Sequence, residues 1–431
     1  MAKFLIRRLF SLILTMLLVS VTVYLFCEVS PGNIARNVLG THITERQEES
    51  FLNQLGMDEP LYVRYMYWLF GSDWHASRLV GMPLKRILNK KGFHEWWAVK
   101  EDGSLIRWKL DGEDLIAVAK SSDGIIEKFV DNGRWKATNE DVSTFWGIDT
   151  KNHVVQWEKG AEIIVWTYRR GGWQKSTGGP KQYIPLKKGL IRGDPGVSLI
   201  TGRAVSITLF TRFRNSVILA GLAFIIVMPF ALLLGIFAGL NEGSTGDRVI
   251  SICGMAFSVV PEFVTGIFLI VVLSLWLRLL PGATIFPESA PWKRIDMLIL
   301  PLLTLALVEL GYILRITRAS LVEVMDSSYV RTAFLKGLPY WRVVFTHAVR
   351  NAMIAPITVI MLHTRYLVGG LVVVEVVFSY PGLGTYLLDA ALYRDVNALE
   401  AGTMLMVIVC VGAQVVADII YTFVNPRIRY T

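Results

Sequence analysis

Five ionisable side chains stand in stretches that are otherwise apolar: Glu262, Glu309, His363, Arg365 and Glu375. A charge in hydrocarbon is costly, so such residues face a bundle interior or a water-filled path, or pair with one another. The chemistry they suit is passage of a polar solute. His363 and Arg365 are two residues apart, so on a helix they point about 200° from each other. Either one of them lines a solute path, or the two serve ion pairs between helices and snorkel. Glu375 is also placed to brace the Pro381-Gly382-Leu383-Gly384 turn that follows it. Bond-making chemistry has little to stand on. No Gly-Lys dipeptide occurs, which excludes a phosphate-binding P-loop. The six histidines show no His-Glu-x-x-His or other ligand spacing. Cys27, Cys253 and Cys410 lie in apolar stretches and give neither a disulfide framework nor a metal pattern. The expectation is no catalytic residue, no metal and no cofactor held by this chain.

The elements that carry these residues are too long for a soluble core. Apolar residues make up 53% of the 431-residue chain and gather in blocks. A helix needs about 20 of them to cross a ~30 Å hydrocarbon layer. Six blocks qualify: Leu9–Cys27, Asn215–Asn241, Val249–Leu277, Met297–Leu314, Asn351–Val374 and Ala401–Ala417 with its continuation after Asp418. The first exceeds a signal peptide's ~7–15 apolar residues and lacks a small-x-small cleavage site. The net charge of +9 is read by location. Lys3, Arg7 and Arg8 precede the first block. Arg315, Arg318, Arg331, Lys336, Arg342 and Arg350 lie between the fourth and fifth, and Arg427 and Arg429 follow the sixth. Basic short loops stay in the cytoplasm, so both termini are expected there. The charge gives no reason to invoke nucleic acid.

Composition changes from about Gly71 to Leu190. Nine of the 13 tryptophans fall there, from Trp74 to Trp173, and no stretch is long enough to span. Asp102-Gly103, Asp111-Gly112, Asp123-Gly124 and Asn132-Gly133 punctuate short alternating runs. These are hairpin-turn dipeptides, which predicts an antiparallel β domain outside the membrane. Its tryptophans read as core, with stacking on a ligand as the other option. Ahead of it, Thr44–Gln47 has capping-box spacing and Gly56 is a helix stop. Leu61–Phe70 is a second short helix, lying at the headgroups or packed on the bundle. Asp73, Ser77 and Gly81 recur in spacing as Asp194, Ser198 and Gly202, by faint duplication or by chance.

Between the fourth and fifth blocks stands Ser328-Tyr329-Val330-Arg331-Thr332-Ala333-Phe334-Leu335-Lys336-Gly337-Leu338-Pro339. This predicts a short helix, a break at Gly337 where left-handed backbone costs little, and a second helix re-entering the membrane. Tyr329, Ala333 and Phe334 can share one face, with Arg331 and Lys336 elsewhere. Such a helix either docks in a partner's groove or hugs the membrane as a basic linker. The segment resembles the coupling loop of ABC-importer permeases, in the variant of the dipeptide/oligopeptide/nickel permease family. Leu55–Pro60, Arg192-Gly193-Asp194, Leu314–Ser320, Glu375–Gly384 and Asn425–Tyr430 resemble the same family, and its B-type subunit fits better than the C-type. Ser328, Phe334, Leu335, His363 and Arg365 depart from its pattern, as does the inserted β domain.

The resemblance implies an all-α polytopic membrane protein of six transmembrane helices, with a cytoplasmic coupling helix and an extracytoplasmic β insertion. Its parts are expected as 1–70 (first span and outer helices), 71–190 (insertion) and 191–431 (permease core, coupling loop 320–352). Tyr329, Arg331, Thr332, Ala333, Lys336, Gly337 and Leu338 are then the coupling residues. The implied partners are a homologous second permease subunit, two ATPase subunits carrying ATP and Mg, an extracytoplasmic solute-binding protein and membrane lipid. The implied place is the bacterial inner membrane, with the insertion periplasmic or extracellular. Peptides are the commonest cargo of such permeases, with sugars, opines or nickel as alternatives. A secondary transporter would need no coupling segment, and a membrane sensor would need a cytoplasmic output domain, so both fit less well.

Overall fold

A computed structural model describes residues 2–424, apart from 30–33, 41, 89–93, 112–113, 122–124, 139–141, 161–162, 170–171, 178–179 and 285–293. The side chains of residues 2–8 and 362–369 also lie outside the description, as do nearly all beyond 417. The chain forms two compact units.

The first unit takes residues 26–206 and 393–401. After α1 (Ala2–Val29) come α2 (Ile34–Leu39), α3 (Glu45–Gln54), α4 (Leu61–Phe70) and α5 (Asp73–Val80). The capping box at α3 is present in full: Gln47 N–H donates to the Thr44 hydroxyl, and Thr44 N–H to the Gln47 side chain at 2.9 Å. Gly56 closes α3 as expected, with Gly56 N–H donating to Asn53 and Met57 N–H to Leu52, the paired bonds of a Schellman stop.

Among the described residues eleven strands follow: β1 (Leu84–Leu88), β2 (His94–Val99), β3 (Leu105–Asp111), β4 (Asp114–Lys120), β5 (Ile126–Val130), β6 (Lys136–Ala137), β7 (Ser143–Ile148), β8 (His153–Lys159), β9 (Ile164–Arg169), β10 (Gly172–Thr177) and β11 (Pro180–Pro185). They build a five-stranded sheet β1-β2-β3-β4-β5, a four-stranded sheet β11-β8-β7-β6 and the ribbon β10-β9. All described pairings are antiparallel. Asp102-Gly103 makes the β2–β3 turn, where Ser104 N–H donates to the Asp102 carboxylate at 2.8 Å. Asp123-Gly124 lies outside the described residues, as does Gly112. Asn132-Gly133 is not a hairpin. It forms a 3-10 turn, because the Asn132 amide bonds back to β4, accepting from Leu115 N–H at 2.9 Å and donating to Asp114 at 2.8 Å.

The tryptophans are mostly core. Trp108 and Ile106 of one sheet meet Phe145, Val155 and Trp157 of the other. Phe145 stacks on its cross-strand partner Trp157 at 5.8 Å and receives the Trp108 ring edge-on at 5.2 Å. Trp74 remains half exposed. Tyr67 of α4 and Ala76 of α5 belong to the same core. The Leu61–Phe70 helix is thus packed on the β structure, an outcome that neither sequence option anticipates.

The second unit takes residues 1–25, 207–392 and 402–431. It holds α6 (Val205–Leu240), α7 (Thr245–Val259), α8 (Glu262–Leu269) with a π-helical turn at Ile270–Trp276, and α9 (Asp296–Met325). Next come α10 (Ser328–Leu335), α11 (Tyr340–Arg342), a π-helical stretch Val343–Val349, α12 (Arg350–Ala352), α13 (Ile354–Val377), α14 (Leu383–Leu392) and α15 (Val396–Val424). Among the described residues five helices are long and apolar enough to cross a membrane, and six if one bent pair counts as a span. That pair is α7 with α8, bent by 109°. The sequence presents Val249–Leu277 as one span broken only by Glu262, and the structure bends it just before that residue. Pro261 lacks an N–H and forces Val260 into extended backbone (φ −78°, ψ 127°), so the helix must break there. The second span starts earlier than expected, at Val205, and carries Arg212 and Arg214 within its helix. The fifth runs Tyr340–Met361 over the described residues, and α13 continues to Val377. Large apolar side chains point outward along these helices, among them Phe10, Leu17, Ile225, Phe230, Leu233 and Ile252. Inside the unit, α7 and α9 approach closely where Gly254 meets Gly311, as small residues allow.

Candidate coupling site and its bracing

The residues expected to couple form an elbow at one end of α9. Helix α10 buries Val330 and Ala333 against Leu321 of α9, Val343 and Ala348 of the π-helical stretch, and Ala352. Ala333 alone of the expected apolar face points inward. Tyr329 (43% exposed) and Phe334 (37%) flank it, because Val330, three residues before Ala333, takes the inner position. Gly337 ends the helix at φ +76°, with its N–H donating to Phe334 at 2.9 Å. A Cβ there would meet nothing within 4 Å, so only the backbone angle requires glycine. Leu338 is half-buried under the elbow, and Pro339 starts α11.

The outer surface of the elbow is basic and aromatic. Arg331, Thr332 and Lys336 are exposed. Phe334 stacks on Tyr340 at 6.0 Å, Trp341 meets Tyr340 edge-on at 5.3 Å, and Phe345 stacks on Trp341 at 5.8 Å. Tyr329 is tied back by Asn351, whose amide donates to the phenol at 3.1 Å. Ser320 of α9 donates to the Ala352 carbonyl at 2.8 Å, so α9 and α12 are linked directly. Sequence reasoning missed one brace. Arg318 grips the buried Asp247 with two bonds, 2.5 and 2.8 Å, while Gly243 N–H and Ser251 also donate to that carboxylate. Glu242, the first acid after α6, adds a longer ion pair to Arg318 at 3.8 Å.

Of the five intramembrane candidates, Glu375 is placed most fully. It is completely buried. Ser216 donates to one carboxylate oxygen, and Gly384 N–H to the other at 2.6 Å. Ser216 in turn accepts from Leu383 N–H at 2.7 Å. Asn215 donates to the Pro381 carbonyl at 2.9 Å, and the buried Tyr380 phenol donates to the Asn215 carbonyl at 2.8 Å. Glu375 therefore clasps the Pro-Gly-Leu-Gly turn onto α6. Glu262 begins α8 and lies against Gly370. Glu309 is buried within α9. The side chains of His363 and Arg365 lie outside the described residues.

In the other unit, Lys187 donates to the Asn397 amide oxygen at 3.3 Å. Enclosure pushes its ammonium down to about 8, against the pull of Glu400, Asp194 and Asp395. Glu400 is fully buried, and neither of its carboxylate oxygens has a hydrogen-bond partner among the described residues. Nothing in the local sequence pattern flags this pair.

Comparison with known proteins matches this architecture. A family model described as "Binding-protein-dependent transport system inner membrane component" matches residues 231–430. A second, for the N-terminal part of such membrane components, matches residues 1–78. The chain is 33% identical over 253 residues to the oligopeptide transport system permease protein AppB of Bacillus subtilis (strain 168), covering 58% of this chain and 80% of that one. It is 34% identical over 272 residues to the di/tripeptide transport system permease protein DppB of Pseudomonas aeruginosa (strain UCBPP-PA14), covering 58% and 81%. To the glutathione transport system permease protein GsiC of Shigella flexneri serotype 5b (strain 8401) it is 36% identical over 243 residues, covering 56% and 76%. The chain belongs to the binding-protein-dependent transport system inner membrane components, as a multi-pass, non-catalytic subunit in the inner membrane.

Proposed function

We propose that this chain moves short peptides through the inner membrane as one permease half of an ATP-driven importer. The elbow carries the reading. An exposed basic-aromatic surface, built on a helix that ends in a glycine hinge and packs on α9, is a shape through which a partner's motion reaches the spans. Arg331, Thr332, Lys336 and the rings from Phe334 to Phe345 meet an ATPase subunit. Ala333 and Leu338 pass the displacement to α9. A second, homologous permease completes the path, two ATPase subunits hydrolyse ATP with Mg, and a binding protein delivers peptide to the outer side. Both termini are cytoplasmic and the β insertion is outside. The peptide class is taken from the oligopeptide, di/tripeptide and glutathione permeases that the chain resembles.

The test is reconstitution. The chain, co-purified with its ATPase subunits and partner permease in proteoliposomes, should take up a labelled tripeptide when the binding protein and ATP are present. Peptide uptake that persists without any ATPase subunit would overturn the reading.

A further inference from the structure

Neither family model matches residues 79–230, and most of one polar cavity is built there. It measures about 690 Å³, a size typical of small-molecule sites. Its walls come from β1, the start of β2, the loop after Lys187, and α5. Two ion pairs fix these walls. Arg86 holds Asp194 at 2.5 Å, and Arg192 grips both carboxylate oxygens of Asp73, one at 2.8 Å. Asp194 also accepts from Gly196 N–H at 3.1 Å, and Arg192 donates to the Phe70 carbonyl at 2.8 Å. Asp73 and Asp194 are the two acids of the repeated spacing noted in the sequence. Both are consumed by these pairs.

The charge left over is positive. Lys85 and Lys188 line the cavity, are exposed, and have no acidic partner among the described residues. His94, on the same wall, is held below its ordinary range by desolvation and then by Arg86 and Lys188, so at neutral pH it is an uncharged donor or acceptor. Leu84 and Trp96 supply an apolar patch. Preorganised walls, two exposed ammonium groups without counter-charges among the described residues, and a small apolar surface together suit one anionic group on a small, partly apolar molecule.

We propose that this cavity binds a small carboxylate-bearing solute outside the membrane, taking the free C-terminal carboxylate of a short peptide between Lys85 and Lys188. The choice of a peptide as the bearer rests on the function proposed above. The cavity places this contact with cargo mostly in a stretch that neither family model matches.

The experiment uses the full chain in lipid nanodiscs, with calorimetric titration of trialanine, trialanine amide and inorganic phosphate. Trialanine should bind, and its amide should bind at least about ten-fold more weakly, as loss of one charge-assisted contact predicts. The double variant K85Q/K188Q should bind trialanine as weakly as wild type binds the amide, at unchanged Tm, since both side chains are exposed. K85R/K188R should restore binding. Equal affinity for acid and amide, full binding by K85Q/K188Q, or tighter binding of phosphate than of trialanine would each overturn the assignment. Uptake by the reconstituted complex separates the two readings. Normal peptide uptake with no lysine-dependent binding removes the cavity and leaves the importer. Lysine-dependent binding in a complex that transports no peptide removes the importer and leaves the cavity.

Discussion

The elbow at Gly337 and the clasp at Glu375 both place a residue in left-handed backbone just after a helix, and they do so by opposite means. At the elbow the residue is glycine, at φ +76°, with open space around it. At the clasp it is Ser379, at φ +52°. A side chain there costs about 1–2 kcal/mol, and the surroundings hold it. Tyr380 N–H donates to the Glu375 carbonyl at 2.8 Å, Thr284 N–H to the Phe378 carbonyl at 2.8 Å, and Phe378 and Tyr380 are fully buried. One bend therefore rests on the backbone freedom of glycine, and the other is held by its surroundings. A lever needs both, a joint where force enters and an anchor that stays put.

Removing the anchor should have the largest effect. Glu375→Ala strands the Gly384 N–H and the Ser216 hydroxyl in a buried site, and should destabilise the chain by about 3 kcal/mol or more. Glu375→Gln, which keeps one acceptor, should cost less. Thermal unfolding in detergent measures both, and a loss below about 1 kcal/mol for the alanine variant would make the clasp ornamental. Lys187 and Glu400 sharpen the contrast, because neither carboxylate oxygen of the buried Glu400 has a hydrogen-bond partner among the described residues, whereas both oxygens of Glu375 do. The Lys187 pKa of about 8 lies below its ordinary 10.5, so between those values the unfolded chain binds more protons. Stability should rise with pH through that window, by at most ~1.4 kcal/mol per unit. Comparing wild type with Lys187→Met across pH 8–10.5 isolates the effect; identical slopes would refute it.

The hinge should be milder in stability and sharper in function. Gly337→Val should cost about 1–2 kcal/mol locally and reduce transport-coupled ATP hydrolysis in an assembled complex. Gly337→Asn, which tolerates left-handed backbone, should retain much more of it. Equal coupling in all three proteins would show that the elbow does not act as a joint. The smallest effect belongs to Ser379→Gly. Relieving the strained angle offsets the greater freedom of the unfolded chain, so the net change should stay within about 1 kcal/mol. A large gain would mean that the clasp stores strain rather than absorbing it.

Local chemistry made much of this molecule legible. Asp102-Gly103 announced its hairpin, Thr44–Gln47 its capping box, and Gly337 the end of a helix eight residues long. The apolar blocks located the helices, although a window counting charge ignored what Pro261 does to backbone. The site was legible where its residues are contiguous. It was not legible where partners are distant: Ser216 reaches Glu375 across 159 residues, and Arg318 reaches Asp247 across 71. No periodicity encodes such a pairing, since either residue alone looks like an ordinary polar interruption. Which residue of α10 lies beneath it was hidden for a similar reason. Tyr329, Ala333 and Phe334 are compatible with one stripe, but Val330 fits the space beneath α10, and that space is shaped by α9 and α12.

Strand β5 ends the five-stranded sheet with every residue exposed, including Ile126, Phe129 and Val130. Its outer side has no partner strand among the described residues. Such a margin is adhesive, because free backbone groups and apolar side chains offer a template to any other extended chain. Two insertions meeting there would zip into a continuous ten-stranded ribbon, with Glu127 and Lys128 the only charges on the seam to keep them apart. Soluble preparations of the β portion should therefore grow stickier with concentration, and a lysine at Phe129 should keep them dispersed.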